Sequence, residues 1–396
     1  MQPIHPFPAR MAPDTVSEWL DNLPRGARVL DPMCGSGVVV RQSAIRGHAV
    51  CGFDIDPLAV LMSKVWTRKG SHSELADAAR RLVMLAGSLR RHKHTDLAWV
   101  KGCAETRSFI EYWFAEPQRS DLSHLARAIE LSHSLEKGWI CDCLELALSR
   151  IIVTKYSGAS LAWDVSHSRP HKKKSENDFN VIEGFLRSVD RLITLLDADR
   201  LTSGGTVRQG DCRRLKSLRV GSIDAVITSP PYLNAIDYMR GHKLALVWLG
   251  YSIPFLRSIR AGAVGTEKAG IRDATDDMKC LEKRVSSIRR LPQRQRFIVH
   301  RYAHDARQFI QEMRRVLVKN GLMVLVLGDS NLRGMPVYNS RIFRTIAEEN
   351  GFILDEERKR PLRQDRRYLP IVSASDALSK RMKFEVIQAY RLSERA

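Results

Sequence analysis

The amino-acid sequence predicts an α/β protein built on a mostly parallel sheet, and three observations carry that expectation. Short apolar runs of strand length alternate with helix-length amphipathic runs, the pattern of strands joined by crossover helices. Two turns rich in glycine or proline, residues 31–37 and 229–232, each follow directly on such a strand, where α/β sheets bind their ligands. The chain has 396 residues, 44% of them hydrophobic and 27% charged, a globular composition too long for one core of ordinary size.

Taken in order, Arg28, Val29 and Leu30 form a first strand that closes on Asp31. Past Gly35 and Gly37, residues 38–46 make a helix that Gly47 stops, and residues 49–53 make a second strand. Asp56 caps the next helix, with Pro57 at its first position, where the missing N–H costs nothing. A third strand, 206–209, runs into Gly210 and Asp211, and a fourth, 223–228, runs straight into Ser229-Pro230-Pro231-Tyr232. Phe309, Ile310, Met313, Val316 and Leu317 share one helical face; Asn320-Gly321 ends that helix and 322–327 is a fifth strand. Alternation over 384–390 predicts a late strand.

Two long stretches interrupt the series. Residues 69–205 are helix-rich, with Leu122, Leu125 and Ile129 on one amphipathic helix and 144–153 on another, and they end in a basic segment, 167–174, with the composition of an exposed loop. Residues 241–304 open on a helix-like run at 243–249 and then turn basic, with Arg289, Arg290, Arg294 and Arg296 near their end. The expected organisation is therefore a discontinuous core (1–68, 206–240 and 305–396) carrying a helix-rich insertion and a basic insertion.

Lys and Arg number 64 against 44 Asp and Glu, a net charge of +20, and such an excess is most simply used to meet phosphate. The seven cysteines form no Cys-x-x-Cys pair and no set with zinc spacing, so reduced thiols, a cytoplasmic setting and no metal are expected. No apolar run approaches the roughly 18 residues of a bilayer helix, and residues 1–10 lack the apolar stretch of a secretion signal, so no membrane partner is expected.

Two turns carry chemistry. In Asp31-Pro32-Met33-Cys34-Gly35-Ser36-Gly37, glycines let the backbone pass close to a ligand without a Cβ in the way. Val40 stands where a dinucleotide fingerprint has its third glycine, so a pyrophosphate is less well provided for. Asp54, at the end of the second strand, can accept both hydroxyls of a ribose; the plainer role for it is a cap or turn residue. In Ser229-Pro230-Pro231-Tyr232, consecutive prolines lock two φ angles and remove two N–H donors. The Ser229 and Pro230 carbonyls are then fixed in direction and open to an outside N–H, such as the amino group of a nucleobase. Tyr232 offers a face on which an extruded base stacks. The plainer role is a rigid loop at a strand end.

The ordered set His5-Pro6-Phe7-Pro8-Ala9-Arg10, DPMCGSG at 31–37, GFDIDP at 52–57, QGD at 209–211 and TSPPY at 228–232 resembles the amino-methylating DNA methyltransferases that use S-adenosylmethionine. The resemblance covers the catalytic core and is silent on both insertions. It implies a Rossmann-like class I methyltransferase fold with a seven-stranded, mostly parallel sheet in which one late strand is antiparallel. It also implies that Asp31, Pro32, Gly35 and Gly37 line the cofactor, Asp54 holds its ribose, Asp211 with Cys212 flanks its adenine, Phe7 packs near it, and Ser229 to Tyr232 hold the target base. The substrate implied is double-stranded DNA with one base flipped out, and a cognate restriction nuclease is an expected partner. The S-P-P-Y form is similar to the cytosine-N4 branch, with adenine-N6 as the alternative. Met33 departs from the family's usual Phe. DPMCGSG is also similar to the cofactor loop of RNA guanine-N2 methyltransferases, and a non-catalytic DNA-binding protein on the same fold is the reading from another class. The basic insertion, with Arg289, Arg290, Arg294 and Arg296, is expected to read the DNA target.

Overall fold

The computed structural model describes residues 2–6, 11–91, 97–136, 138–154, 157–163, 170–197, 201–233, 237–265, 276–332, 334–362 and 383–394. Phe7, singled out above, lies outside them.

The chain opens with α1 (Pro13–Asp21), β1 (Arg28–Asp31), α2 (Val38–Ile45), β2 (Ala49–Asp54) and α3 (Pro57–Thr67). Six helices follow, α4 (His72–Arg91), α5 (Ala98–Lys101), α6 (Ala104–Trp113), α7 (Glu116–Ser132), α8 (Gly138–Arg150) and α9 (Val181–Asp197), with a small ribbon of β3 (Ala162–Trp163) and β4 (His171–Lys172) before the last of them. The sheet resumes with β5 (Gly205–Gln209) and β6 (Ile223–Thr228), after which come α10 (Met239–Leu246), α11 (Ile253–Gly262), α12 (Asp276–Arg284) and α13 (Gln293–Val316). The chain closes with β7 (Leu317–Gly328), a ribbon of β8 (Ser330–Leu332) and β9 (Met335–Val337), α14 (Asn339–Glu349), β10 (Phe352–Pro361) and β11 (Phe384–Leu392).

Seven strands form one sheet in the order β10-β11-β7-β6-β1-β2-β5. Every described pairing in it is parallel except those of β11, which runs antiparallel to both β7 and β10. This is the Rossmann-like class I methyltransferase arrangement. Strand order reverses between β1 and β6, which places a crevice outside their carboxyl ends. Both faces of the sheet are covered, so successive residues enter different cores: Val29, Ala225, Ile227, Val324 and Val326 pack with α1 to α4, while Leu30, Val226, Met323, Leu325 and Leu327 pack with α13 and α14. The helices of the 69–205 stretch share the first of these clusters, with α8 packed on α3.

Three local readings need correction. Leu317 belongs to β7 and not to the preceding helix, which ends at Val316; Asn320, at φ 59°, and Gly321 lie within the strand rather than ending the helix. Residue 304, the expected edge of the basic insertion, lies inside α13, a 24-residue helix that begins at Gln293. His171 and Lys172 pair with Ala162 and Trp163 in a ribbon rather than lying in an open loop. A strand that the apolar pattern does not predict is β10, whose Phe-Ile-Leu-Asp-Glu-Glu-Arg-Lys-Arg-Pro has the charged composition of a protected edge strand.

Candidate active site

The crevice is built from the carboxyl ends of β1, β2, β5 and β6. The loop after β1 is a closed network. Gly35 and Gly37 sit at φ 49° and 84°, and Gly37 is the first residue of the turn into α2, whose backbone accepts from Arg41. A Cβ on Gly37 would lie 2.7 Å from Ser63 Oγ and 3.0 Å from Ser63 Cα, so the loop touches α3 with no room for a side chain. Ser63 Oγ donates to the Gly35 carbonyl (3.1 Å), and the Cys34 N–H donates to Phe53 O (2.8 Å).

Asp54 ties this loop to β2. Its two oxygens accept from the N–H groups of Gly35 (2.8 Å) and Asp56 (2.9 Å), so it acts as a turn residue as well as a candidate ribose ligand. Asp56 caps α3 by accepting from the Leu58 N–H, with Pro57 at the first helical position. Burial pushes the Asp54 carboxyl up to about 6, and the nearby Asp56 charge adds to the shift. Asp31, at the end of β1, is pushed up to about 7 by burial, against bonds from Thr228 Oγ1 (2.8 Å) and the Met33 N–H (3.3 Å). Buried Asp31 and half-buried Asp54 thus stand beside one loop; burial is the largest cause of both shifts, with His242 working against it at Asp54, an environment that a positively charged ligand would relieve further. Pro32 and Met33 complete the turn, with Met33 packed against the second core cluster.

Asp211 follows β5 and is engaged differently from the expectation. The Arg213 guanidinium makes three bonds to its two oxygens (2.6 to 3.2 Å) and the Arg213 N–H adds a fourth (2.9 Å). Burial works upward on this carboxyl, but the Arg213 bonds outweigh it and hold Asp211 below its ordinary value. Arg213 is itself anchored to buried Asp305 of α13 (2.6 Å) and to the Gly262 carbonyl (2.7 Å). Cys212 is buried, and burial raises its thiol.

The Ser229-Pro230-Pro231-Tyr232 turn leaves β6 one residue beyond Thr228, and Thr228 bonds Asp31 across the point where strand order reverses. Ser229 Oγ donates to the Val326 carbonyl (3.0 Å) and lies 3.4 Å from the Tyr232 hydroxyl. The Pro231 carbonyl accepts from Tyr302 of α13 (2.9 Å), and the Leu233 carbonyl accepts from Ser330 Oγ (2.6 Å). Among the described residues no donor reaches the Ser229 or Pro230 carbonyl. The Tyr232 hydroxyl points to Glu385 at the start of β11 (3.5 Å), whose other oxygen is held by Arg360 (2.6 Å). Burial raises the Tyr232 phenol and Glu385 reinforces it, so the hydroxyl stays protonated.

Local sequence assigned no role to Thr228, which lies within the TSPPY motif, or to Arg213, which adjoins the QGD motif, and it missed Asp305, Tyr302 and Glu385, which carry no local signal. Of the four arginines expected to meet DNA, Arg289, Arg290 and Arg294 are exposed. Arg296 is not placed with them: its guanidinium forks onto buried Glu282 (2.7 and 2.9 Å), which also bonds His300 (2.8 Å), so it serves the fold of α12 and α13. Among the described residues no group of three His, Cys, Asp or Glu could hold a metal ion, and no helix is long and apolar enough to cross a membrane. All seven cysteines are unpaired.

No family model matches the chain. Among curated proteins it is 24% identical over 370 residues to the type II methyltransferase M.AvaI of Nostoc sp., spanning 83% of this chain and 74% of that one. It is 22% identical to the type II methyltransferase M.BsoBI of Geobacillus stearothermophilus, over 72% of this chain and 60% of that one. The chain is thus similar to type II methyltransferases along most of its length. A third such relative, M.MvaI of Kocuria varians, is 25% identical over 63% of this chain and 57% of its own. Solved structures give looser likenesses, for example a TehB-like SAM-dependent methyltransferase from Corynebacterium glutamicum, at 11% identity and a TM-score of 0.30 over 95% of this chain and 85% of that one. The strand order, and not these likenesses, carries the fold.

Proposed function

We propose that this protein methylates the exocyclic amino group of a base flipped out of double-stranded DNA, with cytosine-N4 as the target atom. The observation that carries the reading is the pair of carbonyls at Ser229 and Pro230, which no donor among the described residues reaches, fixed by two prolines beside a tyrosine face and adjoining a loop with two carboxyls that burial raises. When bound, S-adenosylmethionine supplies a methyl group on a positively charged sulfur, which suits the electrostatics around Asp31 and Asp54. The backbone of Gly35 and Gly37 would lie close to it, Asp54 would offer its remaining lone pairs to the ribose, and Asp211, held by Arg213, would lie beside the adenine.

The Ser229 and Pro230 carbonyls accept the two amino protons of the target base. They thereby turn its nitrogen lone pair away from conjugation with the ring and toward the methyl, while Tyr232 stacks on the base; a stack of this kind is worth roughly 1–3 kcal/mol. Neither a covalent protein nucleophile nor a metal would be called for, because the substrate nitrogen would take the methyl directly as the sulfonium leaves as a neutral thioether, with one amino proton released to solvent. Orientation and the two carbonyls then do most of the work. Ser229 in place of an acidic residue, and the smaller ring of cytosine, favour N4 over adenine-N6. A cognate restriction nuclease is the partner this reading implies.

Transfer of labelled methyl from S-adenosylmethionine to duplex DNA, followed by nucleoside chromatography, tests it. N4-methylcytosine is the expected product, and Tyr232→Ala should keep cofactor binding while losing most turnover. Methyladenine alone would reassign the base; label in RNA alone, or no transfer at all, would overturn the DNA reading.

A further inference from the structure

A basic, aromatic strip runs from the rim of the site onto the helix-rich stretch. It begins at α10, seven residues beyond Tyr232, where buried His242 bonds Asp56 and so pins the helix beside the cofactor loop. The next residue, Lys243, places Nζ 5.1 Å from the centre of the Phe109 ring on α6. Burial lowers the Lys243 ammonium, and the charges of Arg260, Arg240 and Arg257 lower it further against the opposing charge of Asp237, which marks four cations gathered at this rim. At the far end of α6 the β3–β4 ribbon is tied on by the Leu161 N–H to the Trp113 carbonyl (2.8 Å). There Lys173 Nζ stands 3.9 Å over the Trp163 ring, and Lys172 Nζ stands 4.8 Å over Tyr112, which is 55% exposed.

The cations of the strip fall into two kinds. Asp237 answers Arg240 and Arg260, and Glu105 answers Arg257. Among the described residues, no carboxylate lies within ion-pair distance of Lys172, Lys173 or Lys243; each instead lies over an aromatic ring. A ring face orients an ammonium without cancelling its charge, so these lysines keep their full attraction for phosphate. Exposed aromatics interleaved with such cations are the composition of a nucleic-acid surface.

We infer that this strip is a DNA-contacting surface that grips the phosphate backbone beside the flipped base, on the side of the molecule formed by the helix-rich stretch. The inference rests on the DNA reading above and adds a surface to it. Charge complementarity and continuity with the site at Lys243 select duplex DNA as the occupant over an acidic protein.

The test is binding of a fluorescent 30-base-pair duplex, about the length of three helical turns, at stepped KCl concentrations, for the full-length protein and a Lys172→Ala/Lys173→Ala variant. Both side chains are exposed, so the fold should stand, and S-adenosylmethionine affinity measured alongside should not move. The slope of log K against log salt should fall by about 2, at roughly 0.9 for each phosphate that is no longer neutralised. An unchanged slope and affinity would overturn the inference while leaving the DNA reading intact. Failure of the wild-type protein to bind or methylate duplex DNA would instead overturn that reading. Loss of an acidic protein partner in place of DNA binding would assign the strip to a protein interface and sink the proposal.

Discussion

The loop after β1 and the turn after β6 stand side by side in one crevice, yet they are held by opposite means. The first is fastened by hydrogen bonds: Asp54, Ser63 and the Phe53 carbonyl between them engage Cys34 and Gly35. The second is fastened by covalent geometry, since two prolines fix its course and leave the Ser229 and Pro230 carbonyls open. A loop that must wrap a ligand with its backbone commits its polar groups to neighbours and keeps glycine for the close approach. A turn that must offer acceptors to a substrate cannot commit them, and proline gives stiffness without using them up. The second turn borrows the first one's device at Pro231, through the Tyr302 hydroxyl, and at Ser229, whose hydroxyl donates to the Val326 carbonyl.

The largest expected effect breaks the first loop. Gly37→Ala places a Cβ against Ser63 in a backbone conformation, φ 84°, that alanine rarely adopts. At about 1–3 kcal/mol for the strained backbone alone, S-adenosylmethionine affinity should fall on the order of 100-fold by calorimetry, while duplex binding persists. Undiminished cofactor affinity would mean the loop does not approach the ligand closely. A smaller effect sharpens the contrast at the second turn. Tyr302→Phe keeps the buried ring and deletes the one donor to the Pro231 carbonyl, so turnover should fall about tenfold, or roughly 1.4 kcal/mol, with cofactor affinity unchanged. A matched fall in cofactor affinity would show that the two turns are one unit.

The smallest effect is one of pH. The carboxyls of Asp31 and Asp54 are raised to about 7 and about 6, above their ordinary value of 3.8, so the folded protein holds their protons more tightly than the unfolded chain. The stability they contribute is full below that ordinary value and is lost as pH rises through the raised ones. Asp31→Asn removes one of them, so its melting temperature relative to wild type should rise between about pH 5 and about pH 8. A constant difference would show that the Asp31 charge is already compensated.

Much of this contrast is readable along the chain, because it is local. Gly35, Gly37, the Asp56-Pro57 cap and the two prolines act through the φ angles and N–H groups of their own residues, and short motifs record them. The strands β1, β2 and β6 are visible for the same reason, as apolar runs bounded by turn residues. β10 escapes because an edge strand protects itself with charge and so lacks the apolar signal. Arg296 resembles its exposed neighbours Arg289 and Arg294 because nothing in the local sequence tells that Glu282, fourteen residues earlier, will meet it.

What the sequence by itself determined is the kind of chemistry: a close-approach loop, a rigid pair of acceptors and an excess of positive charge. Tertiary structure alone decided which groups stand guard over that chemistry. Tyr302 and Asp305 lie one turn apart on α13, so the same helix reaches both the Pro231 carbonyl and, through Arg213, the Asp211 carboxylate. Glu385 reaches Tyr232 because β11 runs antiparallel and so begins at the edge of the sheet where β6 ends. Such contacts join residues from about 70 to about 150 positions apart. They depend on strand order and helix packing, which no window of local sequence contains.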